Sequence, residues 1–209
     1  MPRVAAACGA SWTTTHPRAV RRISAWEATG WTQLIHLTGW TAHAPSWYPP
    51  AMDRQAQIKL DRYQRIREQL AQELDKCDEL ITRMATAVAL LHHKQTHFFW
   101  TGFYRLVQGQ LLVGPYQGSL ACQVIPPGQG VCGAAFSRGE TVIVPDVHAF
   151  PGHIACDARS RAEIVVPCRS RGELVAVLDV DSERLGAFDA TDAEQLEAVV
   201  GLVFEPRKP

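Results

Sequence analysis

Between Asp53 and His93, apolar side chains recur at three- and four-residue steps along an otherwise polar stretch: Tyr63, Ile66, Leu70, Leu74, Cys77, Ile81, Met84, Val88 and Leu91. That spacing lines one side of an α-helix with a stripe that must be buried against another element. A single helix of about forty residues would be long for a globular domain, so Lys76-Cys77-Asp78 is the expected break between two. Cys77 lies on the stripe and reads as a small buried hydrophobe.

After His93 the period changes to that of a sheet. Phe98 to Val107 is aromatic and β-branched, and Gln108-Gly109 turns the chain into Leu111-Leu112-Val113. Leu120 to Ile125 reads as a further strand, followed by a short helix from about Gly130 that stops at Arg138-Gly139. Three more strands are expected at Thr141 to Val144, Ile164 to Arg169 and Leu174 to Asp181, the last two joined across Ser170-Arg171-Gly172. A closing amphipathic helix is expected from about Thr191 to Phe204, with Thr191-Asp192-Ala193-Glu194 as a capping box. Helices, a mostly antiparallel sheet, then a helix make an α+β domain.

Composition narrows what such a domain does. The chain of 209 residues has a formal net charge of +0, so electrostatics points to neither nucleic acid nor an anionic membrane. Its apolar runs reach only five residues, as at Ala87 to Leu91, far too short to span a bilayer. The six cysteines contain no Cys-x-x-Cys pair, which argues against a zinc ribbon or a thioredoxin-type motif. Val4 to Cys8 resembles a lipoprotein cleavage site, but the apolar stretch before it is much too short. A cytoplasmic, reducing compartment with free or redox-active thiols is therefore expected.

Residues 1–51 differ from the rest. They hold five of the six tryptophans and four arginines against one acid, Glu27, with no clean period. An arginine-rich targeting or tail segment is one reading; an upstream extension before a start at Met52 is the other, preferred because residues 52–209 would form a single domain. The extension is expected to be poorly ordered or not translated.

Chemistry concentrates between Asp146 and Glu163, where an aperiodic stretch up to Asp157 holds His148, His153, Cys156 and two acids. Long loops in compact domains are more often functional than accidental. Cys132 is as good a nucleophile as Cys156 on local grounds, because the first turn of a helix lowers a thiol pKa. Period-two alternation puts Asp179 and Asp181 on one strand face, and Glu163 opens a neighbouring strand that can join them. Such a cluster would bind an ammonium group, and a raised pKa would let one member protonate a leaving oxygen. Trp100 and Tyr104 share a face and read as core or as the walls of a pocket for a methyl thioether. His148, His153 and Cys156 match no common structural zinc spacing and lack an evident fourth ligand, so no metal is expected. His92 and His93 read as partners of a helix C-terminal dipole.

Taken in order, Trp100 to Tyr104, Leu112 to Gly118, Ala121-Cys122, Gly128 to Gly133, Asp146 to Asp157, Ser160 to Pro167 and Val177 to Ser182 resemble the free methionine-(R)-sulfoxide reductases, which are GAF-domain enzymes. The likeness runs over roughly residues 55 to 204. It implies a GAF α/β/α sandwich around a central antiparallel sheet of about six strands, with the N-terminal and C-terminal helices packed on it. It implies reduction of free L-methionine-(R)-S-oxide, with Cys156 as the catalytic thiol oxidised to a sulfenic acid and Cys122 as the resolving thiol that forms a disulfide. Cys132 matches a third cysteine whose role is open. Glu163, Asp179 and Asp181 match acids around the sulfoxide and amino group, and Trp100 and Tyr104 close the pocket. Thioredoxin is the implied reductant, no bound organic cofactor is implied, and a homodimer through the N-terminal helices is usual. A non-catalytic GAF sensor of small molecules is the alternative; the intact three-cysteine set and the lack of a following output domain count against it. Cys8 and Cys168 match no family position.

Overall fold

The computed structural model describes residues 53–126 and 128–205; the expectations for residues 1–51, Cys8 included, lie outside them. Helices α1 (Arg54–Leu74) and α2 (Leu80–Lys94) come first. Strands β1 (Trp100–Val107), β2 (Gln110–Gln117) and β3 (Val124–Ile125) follow, then α3 (Gly130–Arg138) and β4 (Val142–Val144). A 3-10 turn at Val147–Ala149 precedes β5 (Ala162–Ser170), β6 (Glu173–Ser182) and α4 (Ala190–Phe204).

The helical stripe divides where the sequence predicts. Tyr63, Ile66, Leu70 and Leu74 are buried from α1, and Met84, Ala87, Val88 and Leu91 from α2. The register restarts after the break, so Ile81 faces outward and Cys77, expected to be buried, is half-buried in the connection. Glu79 caps α2, its carboxylate accepting from the backbone N–H groups of Ile81 and Thr82. Arg83 closes the opposite ends of two other helices. Its guanidinium donates to the carbonyls of Leu74 (3.0 Å), Leu202 (2.7 Å) and Val203 (2.8 Å), satisfying the last turns of α1 and α4.

The six strands run in the order β3-β2-β1-β6-β5-β4, each paired antiparallel with its neighbour. Two-residue turns at Gln108-Gly109 and Arg171-Gly172 join the longest pairs, with all four residues at positive φ. This is the hairpin geometry whose twist matches that of the strands. β3 is shorter than the strand expected from Leu120, because the chain turns at Gly118 and only Val124–Ile125 pairs with β2. The last helix begins a residue early, and its capping box is Asp189 with Asp192 rather than one built on Thr191. Asp192 also accepts from Tyr63 (2.9 Å) and Lys59 (2.6 Å), tying α1 to the start of α4.

The sheet separates two environments by its period of two. Ala176, Leu178 and Val180 of β6 face α1, α2 and α4, in a core with Phe103, Ile164 and Leu196. Val177 turns to the opposite face, in a second core with Trp100, Tyr104, Val165 and Ala135 of α3. Helices thus cover both faces, giving the expected α/β/α sandwich, and Asp179 and Asp181 continue the α3 face of β6. Among the described residues no helix is long and apolar enough to cross a membrane.

Candidate active site

Where the α3 face meets the loops after β2 and β4, a cleft of about 530 Å³, counted to its open mouth, is lined by every predicted site residue except Cys122. Strand pairing sets its floor. Asp181 is the register partner of Trp100 on one side and Glu163 on the other, and Asp179 pairs with Gly102 and Val165. Opposed residues share a sheet face, so three carboxyls and Trp100 converge from three strands.

Aromatic rings form one wall. Trp100 stacks on Tyr104 at 5.9 Å and on Tyr116 at 5.5 Å. Gly102 makes room for them: a Cβ there would lie 2.4 Å from the Tyr116 Cβ and 2.5 Å from the Trp100 ring. Trp100 Nε1 donates to the Ser119 carbonyl (3.2 Å) and the Tyr104 hydroxyl to the Cys122 carbonyl (3.1 Å), holding the loop that carries Cys122. Leu120 in that loop is 85% exposed at the mouth, an apolar side chain left uncovered.

Cys122 and Cys156 form a disulfide, with their Cα atoms 5.5 Å apart across 34 residues of sequence. It links the loop after β2 to the loop before β5 at the rim of the cleft. Cys156 is exposed and Cys122 half-buried, so the pair is open to a thiol from outside.

The acids are in a different situation. Glu163 and Asp179 are each 6% exposed. Burial raises the Glu163 carboxyl well above the usual range, and the nearby Asp179 and Asp181 charges raise it further. Asp179 is pushed the same way by burial and then by Asp181. Asp181 rises to about 6 through burial, offset in part by a hydrogen bond from the Ser160 hydroxyl. Three carboxyls this close cannot all ionise, so the cluster holds protons at neutral pH. Asp179 Oδ1 is buried with no hydrogen-bond partner, an acceptor with spare capacity for a ligand's ammonium or hydroxyl.

Cys132 corrects an expectation. It does sit in the first turn of α3, but at 2% exposure the dipole is outweighed. Burial raises its thiol well above the ordinary value, and the neighbouring Asp179 and Glu163 raise it further. It is a neutral thiol beside acids rather than an activated thiolate. Cys132, Glu163 and Asp179 are also the described residues whose ligand atoms, within 4.8 Å of one another, could hold a metal ion. His148, considered with His153 and Cys156, points to solvent and is not part of that group. Cys168 is buried on the opposite sheet face, in the helix-side core.

Two contributors were not singled out as site residues. Ser160 orients Asp181, and His153, weighed only as a metal ligand, places Nε2 3.7 Å from Glu163 Oε2. Their signal was proximity in sequence to Cys156 and Glu163, which says nothing of side-chain direction.

The described domain matches the GAF domain family over residues 77–203. The chain is 43% identical over 120 residues to the free methionine-R-sulfoxide reductase of Escherichia coli, covering 57% of this chain and 73% of that protein. Its fold is similar to the free methionine-R-sulfoxide reductase of Neisseria meningitidis in complex with its substrate, with a TM-score of 0.66, 41% identity, and coverage of 68% of this chain and 85% of that one. The reduced form of the Staphylococcus aureus enzyme is equally similar, at a TM-score of 0.66 and 42% identity over 68% of this chain and 92% of that one. Fold and family match together define a GAF-domain protein. Within that class, the chain belongs to the family of the free methionine-R-sulfoxide reductases.

Proposed function

We propose that this protein reduces free L-methionine-(R)-S-oxide to L-methionine with Cys156 as nucleophile, Cys122 as resolving thiol and thioredoxin as reductant. The observation that carries the reading is the Cys122–Cys156 disulfide at the rim of a cleft floored by three clustered carboxyls, with that of Glu163 raised well above its ordinary value by burial. A sulfoxide reductase working through thiols needs a nucleophile, an acid for the departing oxygen and a second thiol. Cys156 and Glu163 in the cleft and Cys122 at its rim are side chains of the three kinds.

In the reduced protein, the Cys156 thiolate attacks the sulfoxide sulfur while the buried Glu163 carboxyl protonates the oxygen. Oxygen passes to Cys156 as a sulfenic acid, and methionine leaves with its sulfur reduced by two electrons. The Cys122 thiolate then attacks Sγ of Cys156, expelling water with one further proton and forming the disulfide. A thioredoxin dithiol restores both thiols by exchange, becoming a disulfide itself. Asp179 and Asp181 take the substrate ammonium, and Trp100 and Tyr104 wall the methyl thioether. A free amino acid suits this floor, because a peptide-bound residue has no ammonium to offer.

The proposed compartment is the cytoplasm, where thioredoxin keeps such a disulfide turning over. A homodimer would form through the outward face of α2, where Ile81, Ala85 and Ala89 are exposed.

Single-turnover stoichiometry tests the cysteine chemistry. Reduced Cys122→Ser protein should release one methionine per chain and hold a sulfenic acid on Cys156, detectable with a dione reagent. Cys156→Ser should release none. Release by Cys156→Ser but not by Cys132→Ser would make Cys132 the nucleophile instead.

A further inference from the structure

His153 lines the cleft and has no part in these steps. His153 follows a tight turn in which its backbone N–H donates to the Phe150 carbonyl (3.2 Å), with Gly152 at φ +74. The turn brings the ring inward, and its Nε2 lies 3.7 Å from Glu163 Oε2. Among its neighbours, Asp179 is as buried as Glu163 and Cys132 more so, and Asp181 accepts from the Ser160 hydroxyl. The His153 side chain is 13% exposed against 7% for Glu163, so it borders both the acid and the solvent side of the loop.

We propose that His153 is the proton entry to the buried carboxyl cluster: a relay residue through which Glu163 regains from solvent the proton it gives the departing oxygen. The inference rests on the sulfoxide-reductase reading above. In each cycle Glu163 ends as a carboxylate facing Asp179 and Asp181, which makes its recharging obligatory. The proton passes from the His153 imidazolium Nε2 to Glu163 Oε2, and the neutral imidazole then takes another from water. No electrons move, and the charge Glu163 acquires in catalysis is cancelled.

The groups facing the pair favour such a transfer. Burial, and then the neighbouring His148, lower the affinity of His153 for a proton, whereas burial and then Asp179 and Asp181 raise that of Glu163. Both shifts ease the transfer: His153 gives up its proton more readily than a free imidazole, and ionised Glu163 takes one more readily than an exposed carboxylate. His148 is exposed and serves as the internal control.

The test is turnover of His153→Gln, with dithiothreitol as reductant so that no protein docking is involved. Wild-type protein and His148→Gln run alongside, across the neutral pH range and with imidazole added. With wild-type protein active, His153→Gln should lose about tenfold in kcat, with KM little changed. The loss should deepen as pH rises, and imidazole should restore activity in proportion to its concentration. His148→Gln removes a neighbouring charge but no relay group, so it should stay close to wild type in kcat and gain nothing from imidazole. Unchanged kcat in His153→Gln overturns the relay, as does a loss that imidazole does not rescue or that appears mainly in KM. An inactive wild type would instead overturn the reductase reading, so the two failures are distinct.

Discussion

Glu163 on β5 and Asp181 on β6 are direct register partners, two carboxyls facing the same cleft from adjacent strands. Like charges so opposed destabilise a sheet, and burial makes ionisation of both more costly. The chain retains the arrangement with Asp179 one pleat away. The consequence is a site that keeps an acid protonated at neutral pH.

That protonation sets a pH dependence of activity. The folded Glu163 carboxyl lies well above its ordinary value, so the acid form is present below the raised value and lost above it. The rate of methionine release from reduced protein should therefore fall on the alkaline side. Glu163→Gln should lower release by at least about a hundredfold and abolish that alkaline fall. A variant that keeps the wild-type profile would assign the acid to another group.

Stability should show the opposite side of the same linkage. Asp181 binds its proton more tightly folded, at about 6, than unfolded, at an ordinary value of 3.8. The folded state then holds more protons between those values, so stability is full below the lower one and falls as pH rises through the upper. Asp181→Asn should remove that fall, a gain on the order of 2 kcal/mol at neutral pH. Urea denaturation at acidic and neutral pH checks it. Equal destabilisation at both would show that Asp181 is ionised without penalty.

Much of this was legible in sequence, for identifiable reasons. Alternation along Val175 to Asp181 placed both aspartates on one face, and the stripe from Tyr63 to Leu91 anticipated two helices and their break. Turn residues located both hairpins. What periodicity does not encode is depth. Cys132 was read from its place in a helix turn, which is correct, but its burial beside two acids reverses the inferred thiol pKa. Ile81 and Cys77 left the stripe because a helix break resets rotation. His153 reads from sequence only as a metal-ligand candidate, because tertiary contact alone turns its ring toward Glu163. The cleft's chemistry came through family likeness to a greater extent than through local pattern.

Gly102 should be specific for the pocket wall. A Cβ 2.4 Å from Tyr116 and 2.5 Å from Trp100 forces the stacked rings apart. Gly102→Ala should cost about 1–3 kcal/mol of stability and raise KM more than it lowers kcat. Unaltered kinetics would remove Trp100 from the substrate-binding surface.

Arg83 separates fold from chemistry. It is nearly buried, its guanidinium bonded to carbonyls of two helix ends far from the cleft. Arg83→Ala should destabilise by about 2–4 kcal/mol, while folded protein at low temperature keeps its kcat. Thermal unfolding and a low-temperature assay distinguish this from a loss of activity at unchanged Tm.

The central claim is the reaction, and epimer-resolved turnover tests it most directly. Purified protein with thioredoxin, thioredoxin reductase and NADPH should form methionine from the R epimer of free methionine sulfoxide, with one NADPH oxidised per methionine. The S epimer and a peptide-bound sulfoxide should give almost none. No methionine from the free R epimer would contradict the proposed function.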